Sequence, residues 1–253
     1  MAAAKFGPRQ IEADDLIRGR VEPYYTKVLT RLLGAHALAE KLTAEGYRRA
    51  VATVTDPEIR CVAEKNLAEE LKHAALIYDL LAELGISEQS ADRASIVLRR
   101  APSFEAPRNF AEQAQGELGL LMGNLSLDMT GLVMIGVNYR DSSYAPHARA
   151  AEEILDEEAD HDEFGAGALR MAVEREGTAQ VSAALRQWLP WAVNFFGPPG
   201  TGFTFDCLRY GLKQKDNDEL AGLFLSLLER RLKQLGMEMP GLSTAYPHTI
   251  VES

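Results

Sequence analysis

One pentapeptide pattern occurs twice and constrains the fold more than any other feature of the chain. Glu69-Glu70-Leu71-Lys72-His73 and Glu157-Glu158-Ala159-Asp160-His161 both read E-E-x-x-H, in a sequence with only five histidines. Each copy lies inside a long run with helical periodicity. On a helix, residues three apart share a face, so Glu70 stands beside His73 and Glu158 beside His161. A carboxylate and an imidazole turned together toward a helix-packed core are costly unless something compensates them. A single E-x-x-H is commonly a surface pair; two copies on two helices point to paired metal ligands.

The helical signals form a definite order. A short leading helix is expected over about 9–19. A long helix opens at Glu22-Pro23 and runs to about Val51, with proline in its first turn. A second opens at Asp56-Pro57-Glu58, which reads as an N-cap, a first-turn proline and an acid for the helix dipole, and stops at Gly85. Residues 86–106 form a long connection with a short helix over about 89–99. Helices then span about 107–139 and 144–176, the last ending at Gly177. Hairpin, long crossover, hairpin is the ferritin-like four-helix arrangement, in which two Glu-x-x-His pairs and two further carboxylates bind two metals. The expected fold is therefore all-α. It is a single domain over 1–253, with a bundle at about 22–176 and a helical cap at about 178–236. The cap comprises a helical stretch at 178–188, a Pro/Gly-rich bend around Phe196-Gly197-Pro198-Pro199-Gly200, and helices near 204–214 and 216–235. A tail occupies 237–253.

Two facing residues of an antiparallel hairpin lie equally far from its turn, which selects the remaining carboxylates. Glu40 and Glu70 are centred on Thr55-Asp56-Pro57, and Glu40 shares an apolar face with Leu33, Ala37, Ala44 and Tyr47. The competing Glu45 is flanked by Lys41, Arg48 and Arg49, a solvated face. Asp128 and Glu158 are centred on Ser143, within the second turn, whereas Glu117 and Glu158 are centred inside the apolar run. Asp128 lies at helical spacing from Leu121, Leu125, Leu132 and Ile135. Glu40 precedes Glu70 by the same number of residues as Asp128 precedes Glu158. Both levels lie about 15 residues, or roughly 22 Å, from their turns.

The expected ligand set is Glu40, Glu70, His73, Asp128, Glu158 and His161. Four carboxylates and two imidazoles suit two Fe ions, or Mn in their place, with positions left open for O2. Glu69 and Glu157, four residues before the histidines, could each accept the second N–H of an imidazole; a solvated face is the competing account. His36, one turn before Glu40, reads as a core histidine or as one touching a ligand. His147 and His248 read as loop or tail residues, and Tyr47 and Tyr139 as packing residues. The glycines at 116, 119, 123, 131 and 136 lower helix propensity. Close packing explains most of them, but Gly131, three residues after Asp128, would open a substrate pocket there, with Leu132 as an apolar wall.

Composition excludes some function classes. The net charge is −10, with Lys+Arg 27 against Asp+Glu 37, which argues against nucleic acid as a partner. Two cysteines, without C-x-x-C spacing, fit a reducing cytoplasm. The N-terminal segment has no apolar signal core, and no membrane-spanning run is expected.

Beyond the ligand pattern, the stretch Lys213-Gln214-Lys215-Asp216-Asn217-Asp218-Glu219-Leu220, then Gln234-Leu235-Gly236 and Pro240, with Phe196-Gly197-Pro198 before it, resembles the phenylacetate-catabolism oxygenase family. The resemblance covers about residues 25–241. Its catalytic subunit carries the order Glu, Glu-x-x-His, Asp, Glu-x-x-His, which Glu40, Glu70, His73, Asp128, Glu158 and His161 match. The length is nearer that of the family's structural subunit, whose ligands are lost. The resemblance implies a non-haem di-iron monooxygenase that epoxidises or hydroxylates an organic substrate such as an aromatic acyl-CoA. Electrons would come from an external reductase, and the assembly would be a homo-oligomer or include a partner ferritin-like subunit. The alternatives are a di-iron nucleoside hydroxylase, against which the acidity weighs, or an iron-oxidising or storage protein, which has no need of the aromatic segment Trp188–Phe205.

Overall fold

The computed structural model describes residues 4–113 and 116–251, apart from the side chains of residues 113, 116 and 158–164. The short α1 (Ala13–Ile17) leads into α2 (Pro23–Thr53) and α3 (Pro57–Glu83). A crossover follows, with α4 (Glu88–Arg99), a 3-10 turn (Pro102–Phe104) and α5 (Glu105–Gln113). Then come α6 (Gly116–Met134), continued as a π-helical turn over Ile135–Tyr139, and α7 (Ala145–Glu176). Finally α8 (Thr178–Phe195), α9 (Gly202–Tyr210) and α10 (Asn217–Gln234) pack over one side of the bundle. α2 pairs with α3, α6 with α7, and α3 with α7, which closes the bundle.

The sequence terminates these helices where local chemistry requires. The Asp56 carboxylate accepts the backbone N–H groups of Glu58 at 2.9 Å and Ile59 at 3.2 Å, satisfying two orphan donors of α3. Glu117 accepts from the Thr55 hydroxyl and the Asp56 N–H, both at 2.9 Å, and Arg175 reaches Asp56 at 2.9 Å. The start of α6 is thereby tied to the α2–α3 turn, and Glu117 is occupied far from the middle of the bundle.

Three features differ from expectation. The helix expected over 107–139 appears as α5 and α6 on either side of residues 114–115, which lie outside the described residues, and it ends in a π turn. In that turn the Arg140 N–H reaches the Ile135 carbonyl at 3.0 Å, five residues back. The helix expected to stop at 188 continues to Phe195 despite Pro190. Burial of Trp188, Leu189, Ala192 and Val193 on both sides of the proline outweighs the lost backbone bond. Only residues 196–201 then form the bend. Finally, the segment Glu117–Tyr139 is long and apolar enough for a membrane span by length and composition, contrary to expectation, but 78% of its apolar window is buried inside the fold. It is the central core helix.

Phe110 of α5 locks the crossover onto the bundle. Its ring is fully buried between Gly46 of α2 and Gly123 of α6, edge-on to Tyr47 at 5.1 Å and to Trp188 at 6.2 Å. A Cβ at either glycine would fall inside the van der Waals envelope of that ring. Gly46→Ala and Gly123→Ala are each expected to destabilise the fold by about 1–3 kcal/mol through overpacking. Chemical denaturation of the two variants beside the parent checks this, and unchanged midpoints would show that the ring is free to move aside.

Candidate metal centre and adjoining cavity

α2 and α3 run antiparallel, so Glu40, Glu70 and His73 meet at one level of the core. Each offers one ligand atom, and these atoms lie within 4.8 Å of one another, a grouping that could hold a metal ion. All three are buried, His73 completely. His73 Nδ1 stands 3.7 Å from a Glu40 oxygen and 3.9 Å from a Glu70 oxygen. Its other nitrogen, Nε2, lies 2.9 Å from Oε2 of Glu157 on α7. A carboxylate can only accept, so Nε2 carries a hydrogen toward Glu157, and Nδ1 is the ring nitrogen that faces the two glutamates. A metal held there would bind His73 through Nδ1, with Glu157 orienting the ring from behind. Lys72 holds the other oxygen of Glu157 at 2.6 Å and keeps the group ionised. Burial alone would push the Glu157 carboxyl up, but Lys72 and His73 outweigh it and bring it below the ordinary range.

The charges here compensate one another. Burial would push Glu40 up, but His36 and His73 hold it well below the usual carboxylate range. Burial would push His73 down, but Glu40 and Glu157 raise it. His36 Nε2 stands 2.8 Å from Glu40, and His36 Nδ1 meets Nε2 of His147 at 3.1 Å. His147 is not a loop residue: it sits fully buried in the first turn of α7. Burial and the neighbouring His36 hold its proton affinity well below that of a free imidazole, so it stays neutral. No spacing rule links His36 to His147; helix packing alone brings them together.

Asp128 of α6 is buried and hydrogen-bonded. The Tyr47 hydroxyl donates to it at 3.1 Å, and the Asn124 amide is a second donor. The same hydroxyl accepts from Asn66 at 3.1 Å and Asn124 at 2.6 Å, which fills its capacity. Tyr47 is thus the polar link between α2, α3 and α6, a role its apolar neighbours on the sequence did not suggest. The side chains of Glu158 and His161 lie outside the described residues. Glu69 pairs with Lys65 at 3.5 Å, and Glu45, set aside in favour of Glu40, with Arg99 at 3.2 Å.

A cavity of about 340 Å3 reaches this group from the side of the cap. Glu40 and His36 line one part of it, and Gly131, Met134, Ile135 and Phe195 form apolar wall. Gly131, the expected pocket residue, is among those that border this cavity. Leu132 does not line the cavity: residues 131, 134 and 135 share one helical face, and 132 turns away from it.

Comparison with known proteins bears on the family and the fold. A family model described as phenylacetic acid catabolic protein matches residues 25–248. Among solved structures, a protein with aldehyde deformylating oxidase activity from Synechococcus superposes with a TM-score of 0.66. It shares 17% identity, over 86% of this chain and 93% of that one, a likeness of fold. No curated protein matches.

The Glu157–His73 contact crosses the bundle, although Glu157 was expected to serve the histidine on its own helix. Glu157→Gln should lower metal affinity by about 10–100-fold with helix content unchanged, since the amide no longer fixes the ring as an anion does. Metal titration of stripped protein, followed by circular dichroism, checks this; parental affinity would remove Glu157 from the site.

Proposed function

The chain belongs to the phenylacetic acid catabolic protein family, and on that premise we propose that it is a non-haem di-iron oxygenase that epoxidises or hydroxylates an aromatic acyl compound. The observation that carries the reading is the meeting of two features at Glu40. This residue belongs to the buried Glu40–Glu70–His73 group and also lines the apolar cavity. An iron store has no need of a small-molecule cavity at its metal ligands.

In this proposal Glu40, Glu70, His73, Asp128, Glu158 and His161 hold two Fe ions. When bound, the ions supply the redox chemistry that activates O2. Glu157 orients His73 by taking its Nε2 hydrogen, and Glu69 is proposed to serve the second histidine likewise. His73 has a raised proton affinity, so metal entry displaces a proton and binding weakens as pH falls. Tyr47 and Asn124 fix the Asp128 carboxylate from the side of the core. Met134, Ile135 and Phe195 exclude water from the reacting carbon. The reductant is an external reductase, and a second ferritin-like subunit is a proposed partner.

His73→Ala and His161→Ala should each lower iron content below two per chain and abolish incorporation of labelled oxygen from O2, with helicity largely kept. Gly131→Leu should leave iron content unchanged but cut turnover, or shift it to smaller substrates, by filling the cavity. Elemental analysis of anaerobically purified protein and mass spectrometry of products under 18O2 read both effects. Full iron occupancy in both histidine variants would sink the ligand assignment.

A further inference from the structure

Among the described residues, Lys213 is the one ammonium buried in the cavity wall. It lies in the loop between α9 and α10, is 7% exposed, and lines the same space as Glu40. Its Nζ donates to Oδ1 of Asn217 at 2.9 Å. The Asn217 amide nitrogen donates to the Pro198 carbonyl at 2.9 Å and the Thr204 hydroxyl at 3.2 Å, which fixes the oxygen toward the lysine. Among the described residues no carboxylate lies within ion-pairing distance of Lys213. Burial lowers its proton affinity, opposed only at longer range by Cys207 and Asp216.

The loop is held rather than loose. Asn138, inside the π turn, accepts the backbone N–H groups of Gln214 and Lys215, both at 2.9 Å. Gly211 has a left-handed φ of 71°, its carbonyl accepts the Ser143 N–H at 2.7 Å, and a Cβ there would strike the Phe6 carbonyl. The π turn thus has a use: it aims Asn138 at the segment that presents Lys213. At the rim, the exposed Arg31 guanidinium stacks over Phe203 at 4.2 Å, a second positive charge on the way in.

We propose that Lys213 anchors the carboxylate of a free organic acid whose apolar body lies along Met134 and Ile135 with its far end toward Glu40. The proposal rests on the oxygenase reading and narrows its substrate class. An ammonium has three donors, and Asn217 uses one. A carboxylate can take the others and supplies the missing negative charge. A thioester or amide carbonyl accepts a hydrogen bond but leaves the buried charge uncompensated. The cavity, at about 340 Å3, suits a small acid.

The test is calorimetric binding to the full, metal-stripped chain, so that no carboxylate binds through iron. Phenylacetate is compared with phenylacetamide and with the N-acetylcysteamine thioester of phenylacetic acid. The parent should bind phenylacetate at least about tenfold more tightly than either neutral compound. Lys213→Met should abolish that preference while keeping amide affinity and the iron content of the loaded protein. Equal binding of acid and amide by the parent overturns the anchor, as does thioester binding without acid binding, absence of acid binding, or preference retained in Lys213→Met. The parental comparison stands even if the variant misfolds. If the acid preference holds but the iron-loaded chain, given reductant and O2, leaves the acid unchanged, the anchor stands and the oxygenase reading fails.

Discussion

Carboxylates inside an apolar helical core are the constraint on which this structure depends. Glu40, Glu70 and Asp128 are all buried, and none could remain so without compensation. Their partners are distributed over the whole bundle. Glu40 faces His36 and His73, and Asp128 faces Tyr47 and Asn124. Further out, His73 leans on Glu157 of α7. Removing any one helix would leave a buried charge or a strong donor without its counterpart. Polar complementarity therefore fixes the register of the helices as firmly as the apolar packing around them.

The crossover and the cap serve that centre in different ways. Phe110, wedged between two glycines, presses on Tyr47 and so on the hydrogen bonds around Asp128. On the other side the cap leaves a cavity that reaches Glu40, with one buried ammonium in its wall. The π turn at the end of α6 joins the two regions, because Asn138 holds the loop that carries Lys213. A core helix that ended in an ordinary α turn would present position 138 elsewhere on its surface.

Much of this was legible in the chain. The choice of Glu40 over Glu45 followed from their flanking residues, and the structure places Glu40 in the core and Glu45 on Arg99. The cap at Asp56 was readable because a cap is a contact between residues two or three apart. His147 was misjudged because its partner, His36, lies on another helix. Glu157 was matched to a neighbour on its own helix, since α3 and α7 are not joined by one turn and neither helical spacing nor distance from a turn relates Glu157 to His73. The helical stretch expected to end at 188 instead runs on through Pro190 to Phe195, because local propensity yields to burial on both sides of the proline.

The sequence by itself determined an all-α hairpin–crossover–hairpin chain and the residue types at the middle of its helices. Those facts follow from periods of three and four residues, which helical geometry converts directly into shared faces. Only the tertiary structure decided that Glu157 serves His73, that His36 reaches His147, that Tyr47 secures Asp128, and that Lys213 enters the cavity beside Glu40. Each of these joins groups on different helices or loops, at distances set by how side chains interdigitate when the whole core packs. No local period encodes those distances.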